Sequence, residues 1–575
     1  MKADTIPRLL ERRVKSSPNA TALYSLDQGH WQPITWKSFH DSILTLAGGF
    51  QELGLAQGQA IGIMARTSPL WDMVQFAVLI SGGIVVGMDP HDLDENINLI
   101  AEQSNLAGLV VQEPGLLRKL SEENRCSLSL LMSIEDPSDY EKTLHLKDLL
   151  SQNTRDRAVD RSSPSDPATI IFTSGTTGRP KGIQYTHGQV TMATTAIMEG
   201  FQEIGEGSRL VCWLPLSNLF QRMINFCGIT LGATTYYVES PRDIMKHLPS
   251  IGPDVFLGVP RFFEKLYEGM MVEVDKRLPW RRALVKKAIA VGDKKAQASR
   301  EGRNPGLTTT LLHSLLDPIV LAKFREAMGP RLRFMISGSA PMPVWLLERF
   351  HAMGLLILEA YGISEDIIPV AMNLPRAYKF GTVGKPMPGN EIRLLQDGEV
   401  LVKGPGVFSG YLNEASQGQR FTPDGYLMTG DRAVLDQDGF LSLRGRKSEV
   451  FKTSTGRKIA PTSIEDRLRR IPYIDHAVII GSGRKQLVAL LVLSSSAVSR
   501  KAADLGLPFE GSLTPPLEQA IAADVSAETR DLPLYQQPAG LILTLKPFTI
   551  EGGELTGNLK LRRENILLKF QGPID

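Results

Sequence analysis

Cysteine is nearly absent: three in 575 residues. Cys126, Cys212 and Cys227 have none of the short spacings that gather a metal, so zinc-ribbon and disulfide-stapled scaffolds are excluded. They read as reduced, mostly buried thiols of a cytosolic protein. Charge of one sign is lacking as well. Lys and Arg number 64 against 62 Asp and Glu, a net charge of +2, so no whole-molecule field calls for nucleic acid or a membrane. Long apolar runs are also missing. The longest, Phe76 to Met88, is broken by Ser81, Gly82 and Gly83 and falls short of the ~20 residues of a membrane span. The opening Met1-Lys-Ala-Asp-Thr-Ile-Pro-Arg has no apolar signal core, so the expected location is cytoplasmic. Peripheral membrane contact stays open, because an amphipathic patch leaves little trace in composition.

What is present is an ordinary enzyme-like balance, 42% apolar and 22% charged, on a chain too long for one hydrophobic core. Residues 35–54 have helical spacing ending at Gly54, residues 60–64 form a short buried strand, and residues 71–80 are again helical. Residues 83–88 and 106–112 read as further strands. Strands alternating with helices imply an α/β fold with a wound parallel sheet, whose ligands sit at the carboxyl ends of the strands. Residues 286–300 read as a basic surface helix whose charges are a solvated face. From 381 to 443 short strands alternate with turns at Asp397-Gly398, Asp424-Gly425 and Asp438-Gly439, which suggests a small β-rich subdomain. A helix at 461–470 and strands at 477–480 and 487–493 then start a tail large enough to be its own domain. The boundary is placed at Leu443-Arg-Gly-Arg446, giving domains 1–444 and 445–575.

The strongest chemical signal is Thr169-Ile-Ile-Phe-Thr-Ser-Gly-Thr-Thr-Gly-Arg-Pro-Lys-Gly182. An apolar strand feeds a loop of Gly, Ser and Thr closed by one lysine. Glycines let backbone N–H groups turn inward, hydroxyls add donors, and Lys181 supplies a point charge, a composition suited to polyphosphate. The order differs from the Walker pattern, which ends Gly-Lys-Ser/Thr at a helix start. Most such clusters are plain solvated turns.

The segment Ser174-Gly-Thr-Thr-Gly-x-Pro-Lys-Gly182 resembles the phosphate loop of the adenylate-forming enzymes, a superfamily that includes acyl-CoA synthetases, peptide-synthetase adenylation domains and beetle luciferases. Its companion motifs follow in the family's order. Ser337-Gly-Ser-Ala-Pro-Met342 has Ser339 where the family usually carries a second glycine. Tyr361-Gly-Ile-Ser-Glu365 resembles Tyr-Gly-x-Thr-Glu, Gly425-Tyr-Leu-Met-Thr-Gly-Asp431 the Thr-Gly-Asp segment, and Leu555-Thr-Gly-Asn-Leu-Lys560 the catalytic-lysine motif, with Leu559 replacing the usual glycine. Taken singly, each would be an ordinary turn, core aromatic or solvated tail.

The resemblance implies a large N-terminal domain of wound parallel sheets with a β-rich subdomain, followed by a small mobile α+β C-terminal domain. It also implies roles. Thr173, Ser174, Gly175, Thr176, Thr177, Gly178 and Lys181 grip the ATP phosphates. Gly338, Ser339 and Ala340, then Glu359, Ala360, Tyr361, Gly362 and Ser364, line the adenine and α-phosphate, with Tyr361 stacked on the base. Asp431 and Arg446 hold the ribose. Glu365 carries Mg2+, and Lys560, Glu365 and Thr176 form the catalytic set, with Lys560 bridging the attacking carboxylate and the α-phosphate.

Within the superfamily, Leu214-Pro-Leu-Ser217, Val259-Pro-Arg-Phe-Phe-Glu-Lys265, Lys452-Thr-Ser-Thr-Gly456 with Ala460-Pro461, and Phe548-Thr-Ile-Glu551 resemble long-chain fatty acyl-CoA synthetases. Two positions depart. Asn218 stands where a histidine is expected near the acyl carboxylate, and Ser448 stands at the charged hinge position. The implied reaction uses ATP, Mg2+ and coenzyme A to convert a medium- to long-chain fatty acid, or another carboxylic acid, to acyl-AMP and then acyl-CoA. In the second half-reaction Arg446, Ser448, Lys452 and Gly456 serve as hinge and thiol-tunnel residues. An acyl-AMP ligase loading an acyl carrier protein, or a non-catalytic acyl- or nucleotide-binding homologue, remain alternatives. No nucleic-acid partner is expected.

Overall fold

A computed structural model of the chain describes residues 3–137, 142–174, 179–413, 420–549, 552–555 and 561–570. The alternating segments near the N-terminus build one side of a seven-stranded sheet. Ala60–Met64 lies between Ile84–Gly87 and Leu106–Val111, all parallel, and Pro167–Ser174 joins in parallel beside Ile84–Gly87. The strand Pro180–Thr186 then runs back antiparallel to Pro167–Ser174 at the sheet's edge. Both faces of Ala60–Met64 are buried, which is why it reads as an unbroken apolar run. The covering helices start on side-chain caps. Thr35 accepts from Ser38 N ahead of Trp36–Glu52, and Ser68 accepts from Trp71 N ahead of Pro69–Ile80.

Beneath this sheet lies a buried polar network. Arg222, with no exposed surface, donates from Nε to Gln75 (2.7 Å) and from Nη1 to Thr169 (2.9 Å). Burial pushes its pKa down to about 10. Asp72 accepts from Asn225 at 2.8 Å and from the Tyr237 hydroxyl. The network ties helices Pro69–Ile80 and Leu219–Leu231 to the strand Pro167–Ser174.

A five-stranded sheet follows the order Val255–Gly258, Phe334–Ser337, Ile357–Ile363, Asp366–Met372, Lys385–Pro386. Its first three strands are parallel and the rest antiparallel. A four-stranded sheet combines Arg209–Cys212 and Thr234–Tyr237 with an N-terminal hairpin, Thr21–Asp27 and His30–Thr35. The hairpin turns on Gln28 and Gly29, both at positive φ (46° and 83°).

The β-rich stretch is a four-stranded antiparallel sheet of Glu391–Leu394, Glu399–Lys403, Leu427–Leu435 and Leu441–Arg446. Asp397-Gly398 and Asp438-Gly439 sit in two of its turns. Beyond it, Ile474–Ile480, Leu487–Leu493 and Pro538–Thr544 form a three-stranded sheet with its own apolar cluster around Ile464, Leu468, Leu491 and Ile521. The basic helix is longer than its charge pattern suggests. It spans Pro279–Arg300 and buries Ala288, Ile289, Val291 and Gly292 on one face. At Gly292 an added Cβ would stand 2.2 Å from the Ala352 carbonyl oxygen, so the helix rests directly on neighbouring backbone there.

Candidate active site

In the hairpin of Pro167–Ser174 and Pro180–Thr186, Thr173 pairs with Lys181 and Ser174 with Pro180. Gly175, Thr176, Thr177 and Gly178 lie outside the described residues, as does Lys560. Glu365 sits in the turn between Ile357–Ile363 and Asp366–Met372, half-buried. Tyr361 lies within the strand Ile357–Ile363, opposite Ala371. Pairing with the antiparallel neighbour extends the strand past its apolar stretch.

A segment without a predicted role, Val407–Leu412, links the hairpin to Glu365. Ile183 bridges to Tyr411, and Leu412 N donates to Gly182 O (2.8 Å). An added Cβ on Gly182 would lie 2.8 Å from Leu412 Cδ1, so a side chain there would push the Leu412 side chain aside. At the other end Phe408 N donates to Glu365 O (2.9 Å). Tyr411 therefore stands between the two groups. Its hydroxyl donates to Glu365 Oε1, and its ring lies 5.0 Å from Lys181 Nζ and 4.7 Å from the Arg420 guanidinium. The Tyr185 hydroxyl, fully buried, donates to Ser364 O (2.6 Å) and anchors the same turn. No local sequence pattern marks Tyr411, since Lys181 and Ile183 lie more than two hundred residues before it and Glu365 lies 46 before it.

Asp431 and Arg446 face each other across adjacent strands. Arg446 Nε lies 3.0 Å from Asp431 Oδ1, and the Tyr361 hydroxyl donates to Asp431 Oδ2 at 2.7 Å. The Asp431 N–H donates to Thr429 Oγ1 (3.1 Å), which fixes the aspartate's backbone. Gly338 is buried beneath the Phe220 ring, while Ser339 and Ala340 are exposed. Ser339 has φ 74°, a left-handed conformation that favours glycine. Glu359 is buried and accepts from Met342 N at 3.0 Å. Burial, reinforced by Asp466 of the C-terminal helix Pro461–Leu468, pushes its pKa up to about 7. Beside it, Ala360 is half-buried and Gly362 exposed.

With this geometry, comparison with known proteins is decisive. The family model described as AMP-binding enzyme matches residues 10–412, and that described as AMP-binding enzyme C-terminal domain matches residues 449–521. The chain belongs to the AMP-binding enzymes. Among relatives, it is 30% identical to a protein named long-chain-fatty-acid–CoA ligase FadD15 from Mycobacterium bovis, over 100% of this chain and 96% of that one. It is 27% identical to one named long-chain-fatty-acid–CoA ligase ACSBG2 from Xenopus laevis, over 99% of this chain and 83% of that one. Among solved structures, the adenylation domain of a Mycobacterium chelonae carboxylate reductase shares the fold, with TM-score 0.77 and 20% identity over 99% of this chain and 90% of that one.

In this AMP-binding enzyme the departing residue Asn218 has a local task. It is the N-cap of helix Leu219–Leu231, its Oδ1 accepting from Phe220 N at 3.0 Å. The preceding Ser217 passes so close to Gly87 that an added Cβ would lie 2.7 Å from its Cα, which holds the segment across the end of Ile84–Gly87. Ser448 lies exposed in the short turn Lys447–Glu449. Lys447 Nζ contacts Asp397 (3.0 Å) and the buried Glu399 (2.7 Å), and Glu399 also accepts from Gly430 N (3.2 Å). Lys452 pairs with Lys458 in a two-stranded hairpin, and Gly456, at φ 79°, makes its exposed turn. Here the turn bonds within its own region, Ser454 N donating to Arg484 O (3.0 Å).

The C-terminal part rests against helix Pro260–Asp275. Arg261 reaches Asp475 (3.2 Å), Arg469 reaches Glu264 (2.6 Å), and Ser494 donates to Glu268 (2.9 Å).

The metal chemistry implied by the family fits the donors in kind. Among the described residues no three His, Cys, Asp or Glu side chains gather to hold an ion. Glu365 offers one hard carboxylate beside the phosphate hairpin, which suits magnesium carried largely by phosphate oxygens.

Proposed function

We propose that this AMP-binding enzyme activates a medium- to long-chain fatty acid with ATP and transfers the acyl group to coenzyme A. The observation that carries this reading is the Tyr411 junction. It sets the phosphate-loop lysine beside the acidic turn, while Asp431, Arg446 and Tyr361 form a separate, hydrogen-bonded cluster suited to a ribose. Full-length similarity to proteins named long-chain-fatty-acid–CoA ligases supports the substrate class and the acid–thiol ligase activity.

In the first half-reaction an oxygen of the fatty carboxylate attacks the α-phosphorus of ATP. The bond to the β-phosphate oxygen breaks, pyrophosphate leaves and acyl-AMP remains. The chain's contribution is positioning and charge neutralisation. Thr173, Ser174, Gly175, Thr176, Thr177, Gly178 and Lys181 hold the departing β- and γ-phosphates. Asp431 and Arg446 hold the ribose hydroxyls, Tyr361 packs on the adenine, and Gly338, Ser339 and Ala340 give its edge a close backbone wall. Glu365 would hold magnesium, which neutralises phosphate charge when bound. Lys560 meets the reacting oxygens.

For the second half-reaction we place the domain boundary at 443–446 and assign Arg446 and Ser448 to the hinge. Rotation there withdraws Lys560 and brings the Lys452–Gly456 turn to the thiol path. The thiol sulfur of coenzyme A then bonds to the acyl carbonyl carbon, its proton is released, and AMP departs with the electron pair of the broken C–O bond. Breaking the contacts of Arg261, Glu264 and Glu268 with the C-terminal part must accompany that rotation.

Pyrophosphate release dependent on both ATP and a fatty acid tests the first half. Offering coenzyme A and an acyl carrier protein separately tests the acceptor, and transfer only to the carrier would contradict the assignment. No release with any acid would make the chain a binding homologue.

A further inference from the structure

The region between Lys276 and Lys323 differs from the rest of the surface in both charge and exposed carbon. It carries eleven Lys and Arg against three Asp and Glu, on a chain whose total charge is only +2. All three acids are already paired: Asp293 with Arg349, Glu301 with Arg303, and Asp317 with Arg325. Lys276 is paired with Glu273 just outside the region, but the exposed cations Arg277, Arg281, Lys286, Lys287, Lys294 and Lys295 have no acid within the region left to offset them.

Helix Leu307–Leu316, with the turn Asp317–Leu321 that continues it, runs beside this basic helix. Lys295 Nζ lies 3.2 Å from His313 Nδ1. Its Leu316, Val320 and Leu321 are buried. Leu307, Leu311, Leu315 and Ile319, spaced four residues apart, remain 84%, 64%, 64% and 59% exposed. At the start of the basic helix Leu278 and Trp280 are likewise 59% and 60% exposed, with the Arg281 guanidinium 5.0 Å from the Trp280 ring. Single exposed leucines are common, but a helical row of four exposed large aliphatic residues is not.

We propose that this face docks the enzyme on an anionic lipid bilayer, with Trp280, Leu307, Leu311, Leu315 and Ile319 entering the headgroup boundary and the surrounding cations contacting lipid phosphates. A protein partner fits less well, because protein interface cores are depleted in lysine, whereas an apolar row flanked by Lys and Arg suits a charged membrane surface. The region contains none of the nucleotide-site residues, so docking and adenylation are separable. The inference stands without the fatty-acid reading, because vesicle binding is measured with neither ATP nor acid.

The test is co-sedimentation of the full chain with vesicles of phosphatidylcholine alone, or of phosphatidylcholine with phosphatidylglycerol. Binding to the anionic vesicles should be at least about tenfold tighter and should weaken with salt. Leu311→Ser with Leu315→Ser, and separately Lys286→Glu with Lys287→Glu, should each lower it about tenfold while the thermal midpoint stays put. Trp280 fluorescence should shift to the blue on binding, and Trp280→Phe should remove that shift. Absent binding, equal binding to both vesicles, or binding unchanged in both double variants would overturn the proposal. Self-association lost in the leucine variant, without vesicle binding, would overturn it in favour of a second copy of the chain.

Discussion

Tyr411→Phe is the sharpest perturbation of the phosphate side, because it removes one oxygen and leaves the ring. The ring's contacts with Lys181 and Arg420, 5.0 and 4.7 Å from its centroid, should survive. What is lost is the hydroxyl donated to Glu365. A hydrogen bond to a charged group contributes about 1.5–3 kcal/mol, so Glu365 left to find a new orientation should cost roughly ten- to hundredfold in kcat/KM for adenylation. If Tyr411 acts only by orienting Glu365, the effect must vanish once that carboxylate is gone. Glu365→Gln alone should lower the rate further than Tyr411→Phe, and the double variant should be about as slow as Glu365→Gln. The coupling energy of the cycle should therefore be of the order of the hydrogen bond itself, about 1.5–3 kcal/mol. The assay is initial-rate ATP–pyrophosphate exchange across a range of magnesium concentrations. Tyr411→Phe should also raise the magnesium needed for half-maximal rate. Independent effects that simply multiply, with a coupling below about 0.5 kcal/mol, would refute the assignment.

Ser339, at φ 74°, bears a left-handed strain of about 1 kcal/mol that glycine removes, partly offset by glycine's greater unfolded-state freedom. Ser339→Gly should therefore stabilise by up to about 1 kcal/mol in thermal or urea unfolding, and Ser339→Ala should not; equal effects would exclude backbone strain as the cause. Asp431→Asn should raise the KM for ATP about ten- to hundredfold with little change in KM for the acid, because it weakens two ribose bonds of about 1.5–3 kcal/mol each. An unchanged ATP KM would remove Asp431 from the ribose site. Glu359 and Asp366 are both pushed up to about 7, chiefly by burial, and Asp466 to about 6. Because their folded pKa values exceed the unfolded ones, their contribution to stability is full below about pH 4 and lost as pH rises through about 6–7. Glu359→Gln should thus flatten the fall in thermal midpoint between about pH 5 and pH 8, and a steeper fall would contradict that sign. Lys560→Ala should abolish adenylation yet largely spare transfer to coenzyme A from supplied acyl-AMP; equal loss of both would refute its role.

The parts of the fold legible in the sequence are those whose signals are local. Leu487–Leu493 is an uninterrupted apolar strand with the bounds its composition suggests, and Ala60–Met64, Ile84–Gly87 and Leu106–Val111 fall inside or at the expected segments. The turns at Asp397-Gly398 and Asp438-Gly439 declare themselves by chemistry. Pairing between distant segments left no such trace. The partnership of Thr21–Asp27 with Thr234–Tyr237 spans two hundred residues, and neither strand announces its neighbour. The buried Arg222 in helix Leu219–Leu231 had no trace either, because a charge satisfied by Gln75 and Thr169 looks in sequence like any solvated charge. Much the same holds at the site. The motifs carrying Glu365, Tyr361, Asp431 and Arg446 were visible one by one, but their meeting depends on sheet order. Asn218 reads as a missing histidine until its cap on helix Leu219–Leu231 gives it a second explanation. Tyr411 had no signal of its own, since its place comes from the bridge to Ile183 and from the neighbouring Leu412 N bonding Gly182 O.

The central claim is that this ATP site adenylates a fatty carboxylate. The most direct measurement is ATP–pyrophosphate exchange screened over acids from acetate to very long chains, using the full chain with magnesium. The account predicts exchange that depends on medium- to long-chain fatty acids and disappears in Lys560→Ala. Exchange supported only by amino acids or aryl acids, or persisting without any acid, would contradict it.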